Sequence, residues 1–411
     1  MPSLVSSTSQ PARPSLWQNR NYVILFLSGV LLTVGGKVYE LALPLILYTL
    51  SHHSAIVMTT MRAIEFLPNL LLALFIGVWV DRTNKKRFTL FVIAGQVGLL
   101  LLLFALYLFG TERLWIYYVV GFGLMTLQYG YGNARFAIVK YALPRELLTA
   151  ANANFSFVST FVTIIGPAIS GFLLMLTNLH NGLLVTAVAY IVSLLVLSRL
   201  PSSESTGRGQ QKSSFWADLG EGWVALRTNH ALWQITMLVI FLNAAAGMVD
   251  AISVFFAKDH LHLSTAMVGV ILGAEGFGGL VGSRLVAWSR RTFGSGGALG
   301  LTILGLAICD VIPVFSNHVW PFALALFGIG FFSTIESVII WTFRQETTPP
   351  ELIGRVSGLT GSIFKLGMVW TILGSGWLAT LAGTWTVYLA AGIGNLVMFV
   401  IFTRLPLRKL A

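Results

Sequence analysis

Hydrophobic positions along this chain fall in long runs, not in the short amphipathic or alternating stretches of a soluble domain. Apolar runs cover residues 22–50, 55–80, 88–109, 115–140, 149–176, 181–199, 231–257, 264–289, 297–314, 319–343, 352–380 and 384–403. Each is long enough to cross roughly 30 Å of hydrocarbon as a helix, and the period-2 alternation of a transmembrane β-strand is missing. The pattern predicts an all-α membrane protein of twelve transmembrane helices. The longest internal polar stretch, Pro201–Asn229, follows the sixth run and divides the pattern six plus six. The expected organisation is a tail over 1–20, a six-helix bundle over 21–199, a linker over 200–230, a second bundle over 231–404 and a tail over 405–411. Trp216, Leu219, Trp223 and Leu226 recur at helical spacing in the linker, which reads equally as an interfacial amphipathic helix or an ordinary linker helix.

Composition sharpens this picture. The chain is 56% hydrophobic and 10% charged, against roughly 45–50% and about 25% in soluble domains, and its mean hydropathy is +0.80. The lone cysteine, Cys309, excludes a disulfide framework and any multi-cysteine metal centre. Met1–Arg20 carries no apolar core of a cleaved signal peptide. The net charge of +11 would suit nucleic acid, but its distribution gives another reason. Of 26 Lys and Arg, nineteen lie on one side of the predicted membrane, two on the other and five within runs. By the positive-inside rule both termini and the linker are cytoplasmic, and no nucleic-acid partner is needed.

Between the second and third runs stands Gly77-Val-Trp-Val-Asp81-Arg82-Thr-Asn84-Lys85-Lys86-Arg87. It resembles the loop signature of the major facilitator superfamily, Gly-x-x-x-Asp-Arg-x-Gly-Arg-Arg/Lys. Gly77, Asp81, Arg82, Lys85 and Lys86 match, and Asn84 replaces the second glycine. Asn tolerates positive φ, so the turn is expected to survive through that conformation. The resemblance implies a gating role for these five residues. It extends over nearly the whole chain: Pro144–Asn154 and Thr347–Gly358 resemble equivalent loops of bacterial siderophore and macrolide exporters. They also repeat one Pro-x-Glu-Leu-like pattern in the two halves, as the fold's parallel repeat requires. Gly166-Pro167-Ala-Ile-Ser170-Gly171 resembles the core of the drug-exporter antiporter signature, with Ser170 in place of one glycine.

Ionisable side chains within the bilayer are costly, so each asks for a reason. In the implied fold, runs 1, 4, 7 and 10 line a central cavity. Lys37 and Glu40 lie on run 1, Arg135 on run 4, Asp250 on run 7 and Glu336 on run 10. Arg62 and Glu65, Glu275 and Lys365 lie on runs 2, 8 and 11. Lys37/Glu40 and Arg62/Glu65 are i, i+3 pairs near mid-depth, expected to form a four-member cluster that is either structural or proton-coupled. Glu40, Glu65, Asp250, Glu275 and Glu336 are the proton-coupling candidates. Lys37, Arg62, Arg135, Lys365, Tyr39, Tyr129 and Trp341 are the substrate or charge-pair candidates. Glu336 has Ser333, Thr334 and Ser337 as possible partners, and Asp310, near a run end, is expected to snorkel. The pairs His52/His53 and His260/His262 read as loop residues and not as metal ligands.

The expected activity is secondary active export of a small organic molecule, such as a drug or siderophore, by alternating access in exchange for protons. An importer or facilitator, a lysolipid flippase and a non-transporting sensor are the alternatives on the same scaffold. No cofactor or metal is expected, the proton gradient being the energy source. The partners are a small-molecule substrate and the lipid bilayer, and the working unit is a monomer in the cell (inner) membrane. An enzyme is disfavoured because no His lies deep in a run and no Gly-x-Ser-x-Gly occurs, and no Gly-x-x-x-x-Gly-Lys-Ser/Thr for ATP exists.

Overall fold

A computed structural model describes residues 16–176, 178–201, 215–349 and 353–409. The order is α1 (Arg20–Leu50), α2 (Ala55–Arg82), α3 (Lys85–Leu108), α4 (Leu114–Ala142), α5 (Arg145–Leu176) and α6 (Leu179–Ser198). After the polar segment come α7 (Phe215–Thr228), α8 (His230–Phe255), α9 (Thr265–Val311) and α10 (Val319–Thr347). The chain closes with α11 (Ile353–Ile363), α12 (Leu366–Ala382) and α13 (Thr384–Arg404). Ten stretches within these helices are long and apolar enough to cross a bilayer. α4 is not among them, because Gln128, Asn133, Arg135 and Lys140 dilute its apolar character.

Short polar residues start the helices where the sequence supplies them. Asn19, Ser54, Asn229 and Ser264 cap α1, α2, α8 and α9 by accepting from backbone N–H groups of the first turn. Asn84 differs from the expectation of a positive φ: its φ is −63°, and its side chain accepts from the Arg87 N–H at 2.9 Å to cap α3. The glycine's place is filled by a capping residue, so no left-handed turn is needed.

Two predicted segments are joined differently from the pattern. Runs 264–289 and 297–314 lie in the single element α9, which bends at Gly294, with φ 70° and ψ 167°. A straight helix of this length would span about 70 Å, more than twice a bilayer. Instead α9 is a hairpin. Its first leg packs by Gly269 on α5, its second leg reaches Gly392 near the middle of α13, and Gly296 at the bend meets the carbonyls of Leu407 and Arg408. Run 352–380 is in turn divided, α11 and α12 being separated at Phe364–Lys365.

Apolar packing shows where the two sets of helices meet. One buried cluster holds only α1–α6 and the residues flanking them, from Tyr22 to Leu200. Another holds only residues from α7 onward, including Leu226, Phe343, Phe402 and Leu407. A third mixes Val38, Leu45, Tyr48 and Leu174 with Ile252, Phe322 and Tyr388, and a smaller one joins Ala63 to Ala251, Val369 and Ile372. The mixed clusters lie toward the end of the bundle carrying the α1–α2 turn. At the end carrying the described chain termini, no cluster of described residues joins the two sets. The two sets are therefore packed together at the end carrying the α1–α2 turn, the sealed end. α7 confirms a helix in the linker: Leu226 is buried and Trp223 is exposed, while the side chains of Trp216 and Leu219 lie outside the described residues.

Candidate functional site: a charged seam between the two helix sets

Two helix crossings form the seam. α5 meets α9 backbone to backbone: a Cβ on Gly269 would stand 2.3 Å from the Pro167 carbonyl oxygen, and one on Gly276 would stand 2.4 Å from the Ile164 Cα. A Cβ on Gly171 would lie 3.0 Å from the Gly269 Cα, and one on Gly166 2.9 Å from Lys37 Cγ. The segment Gly166–Gly171 thus stands at the closest approach of the two sets, where only glycine admits such contact. Gly269, Gly273 and Gly276 are its counterpart on α9. Their small-residue spacing was visible in the sequence and was passed over there. On the opposite side α12 packs on α2, and a Cβ on Gly376 would lie 2.9 Å from the Ile56 Cα.

Between these crossings lie the intramembrane charges. Lys37 Nζ is 2.5 Å from Glu40 Oε2, and Arg62 Nη1 is 3.1 Å from Glu65 Oε2. Both i, i+3 pairs form as their spacing predicts. The cluster is not limited to those four, however. Arg62 Nε also reaches Asp250 Oδ2 at 2.9 Å, tying α2 to α8 across the seam. The Tyr39 hydroxyl donates to Glu65 Oε1 at 3.0 Å. Glu40 lies within electrostatic reach of Arg62 and Glu65, and Glu275 within reach of Asp250, Lys37 and Arg62. Glu65 is only 5% exposed, whereas the side chains of Glu40 and Asp250 are 45% and 48% exposed.

The remaining candidates are placed around this cluster. Arg135 stacks on Phe136 and Phe155, with its guanidinium carbon 5.6 and 5.4 Å from the ring centres. Lys365 donates to the Tyr129 hydroxyl at 3.4 Å. Trp341 carries the Arg344 guanidinium over its ring at 4.6 Å. Glu336 is buried, and two of its three expected hydroxyl partners, Ser333 and Ser337, bond carbonyls of their own helix, as side chains with short reach do in helices. Asp310 does not snorkel. It is 3% exposed and accepts from Asn395 Nδ2 at 2.7 Å, because it lies on the α9–α13 contact. In the gating motif, Lys85 is buried and donates to the carbonyls of Val80 and Thr83. The side chains of Asp81 and Arg82, like the surroundings of Gly77, lie outside the described residues.

At the sealed end the Tyr48 hydroxyl donates to Asp259 Oδ1 at 3.3 Å and its ring stacks on His53 at 4.3 Å. A recess of about 480 Å³ there is lined by His53, Asp259, His260, His262 and Trp385 among others. Among the described residues no three His, Cys, Asp or Glu side chains gather in a metal-binding group.

Comparison with known proteins agrees with this architecture. Residues 25–372 match the model of the Major Facilitator Superfamily. The chain is 21% identical over 324 residues to Macrolide efflux protein A of Streptococcus pyogenes, covering 77% of this chain and 78% of that protein. It is 27% identical over 362 residues to Multidrug efflux pump Tap of Mycolicibacterium fortuitum, covering 84% and 86%. Among solved structures, the nucleoside transporter NupG (D323A mutant) superposes with a TM-score of 0.78 at 14% identity, over 93% of this chain and 99% of that one.

Proposed function

The chain belongs to the major facilitator superfamily of multi-pass membrane transporters, and from that premise we propose that it exports a small organic molecule in exchange for protons. The reading assigns it twelve crossings, with α9 counted as two and α11–α12 as one, in six-helix halves over 21–199 and 231–404. Both termini lie in the cytoplasm, on the side richer in Lys and Arg, and the membrane is the inner, cell membrane. A monomer suffices, since the seam lies within one chain. The macrolide and multidrug efflux proteins to which it is similar support export of organic compounds.

The observation that carries the coupling is the position of Arg62 between Glu65 of its own helix and Asp250 of the other half. With the sealed end taken to face outward, this reading makes it the state that loads substrate from the cytoplasm. Opening the sealed end separates Arg62 from Asp250 and leaves the carboxylate without its cation, which favours its protonation. Asp250 then takes a proton from outside as the substrate leaves. When the seam closes again Arg62 re-pairs with Asp250 and the proton is released inward. One turn moves substrate out and a proton in. Glu65 holds Arg62 in place through the cycle, and Glu40, Glu275 and Glu336 are further proton sites.

The test uses inside-out vesicles loaded with an acid interior and a fluorescent efflux substrate. Wild-type protein is expected to take up the dye and to lose the pH difference faster when dye is present. Asp250→Asn is expected to abolish uphill uptake while retaining exchange of dye down its gradient. Uphill uptake that persists in Asp250→Asn and in Glu65→Gln rejects the coupling. Uptake confined to right-side-out vesicles would make the protein an importer.

A further inference from the structure

Lys365 is set apart from the other intramembrane charges by its place in the backbone and by what faces it. It occupies the break in the span formed by α11 and α12, immediately before the first turn of α12. Its ammonium stands over two rings of the other half, 5.2 Å from the centre of Tyr129 and 5.6 Å from that of Phe66. Among the described residues no carboxylate lies within 4.0 Å of it. Lys37 and Arg62 each have such a partner.

The backbone at the break is half-satisfied. Asn243 Nδ2 donates to the Phe364 carbonyl oxygen at 3.3 Å, which answers the acceptor side. The opening N–H groups of α12 have no side-chain cap, so the positive end of that helix faces the same point. Behind the break a second cation adds to the field. Arg344 is 3% exposed, donates through Nη2 to the Thr360 hydroxyl and stacks on Trp341 and Phe364, yet its Nε and Nη1 have no partner among the described residues. No carboxylate of the described residues lies within 4.0 Å of it either. Ring faces offset only part of the cost of a cation at this depth. An anion placed there would offset the rest.

We propose that Lys365 and the first turn of α12 form an anion subsite, and that the transported molecule is an aromatic acid. This rests on the transport reading above and narrows it. The acidic group, a carboxylate or catecholate, meets the ammonium and the open N–H groups, while the ring lies against Phe66 and Tyr129. The acids of the seam do not compete for this position: Arg62 engages Asp250, and Glu275 and Glu336 stand on α9 and α10.

Salicylate and salicylamide share a ring and differ in charge, so titrating each into the purified full-length protein by calorimetry isolates the subsite. The expected result is about tenfold tighter binding of salicylate, the scale of one added charged hydrogen bond. Lys365→Gln is expected to erase the preference and Lys365→Arg to keep it, with melting curves showing that each variant is folded. Phe66→Leu, which leaves the charge in place, is expected to weaken both ligands and preserve their ratio. Equal affinities in the wild type, undetectable salicylate binding, or a preference that survives Lys365→Gln overturns the subsite. Binding is read without a gradient, so a protein that shows the preference yet moves nothing in vesicles refutes the transport reading alone.

Discussion

Arg62 of α2 and Asp250 of α8 are joined at 2.9 Å across the seam between the two helix sets, 188 positions apart in sequence. Because Arg62 also holds Glu65, one guanidinium bridges an acid of each half.

Loss of that contact is expected to favour opening of the sealed end. The Asp250 side chain is 48% exposed, so solvent screening limits the pair to about 1 kcal/mol or less. Asp250→Asn is therefore expected to raise the labelling rate of a cysteine placed at Ala379, buried in the seal, by up to about fivefold with a membrane-impermeant maleimide. The exchange of charges in Arg62→Asp with Asp250→Arg is expected to bring the rate partway back.

Glu65 is the most enclosed acid of the cluster and accepts from both Tyr39 and Arg62. Glu65→Gln is expected to lower stability in detergent by about 1–3 kcal/mol, since a buried charged hydrogen bond is lost. Tyr39→Phe removes one neutral donor and is expected to cost about 0.5–1.5 kcal/mol. Melting of the two variants side by side tests the order.

The glycines divide into those that permit contact and those that do not. Gly269→Ala would drive a methyl into the Pro167 carbonyl, where neither backbone can yield cheaply, and is expected to destabilise by about 1–3 kcal/mol. Gly98→Ala in α3 meets nothing within 4 Å and is expected to be neutral or slightly stabilising. If both behave alike in thermal melts, the α5–α9 crossing is looser than described.

Asp310 and Asn395 form a buried pair away from the seam, each 3% exposed. Asp310→Asn keeps a polar partner of the same shape and is expected to be tolerated. Asn395→Leu leaves the acid without a donor and is expected to cost about 1–3 kcal/mol, measured as the loss of folded protein on heating.

Much of the molecule was legible along the chain. Spans, linker and the two i, i+3 pairs follow from local periodicity, because a helix in lipid must satisfy its own backbone and present twenty or so apolar residues. The loop Gly77–Arg87 was recognisable by its residue types, although the role of Asn84 was not, since capping and left-handed turns draw on the same residue. Trp341 carries Arg344, three residues further on, over its ring, a contact of the same local kind as the i, i+3 pairs.

What the sequence determined by itself, then, is everything set by a neighbour three or four residues away: helices, caps and the charges each helix carries. Tertiary structure alone decided that Arg62 meets Asp250, that Gly269 meets Pro167, and that Lys365 faces Phe66 and Tyr129. Those contacts depend on how two sets of helices are turned toward one another. That rotation comes from the sum of many close packings and is written in no single stretch of chain.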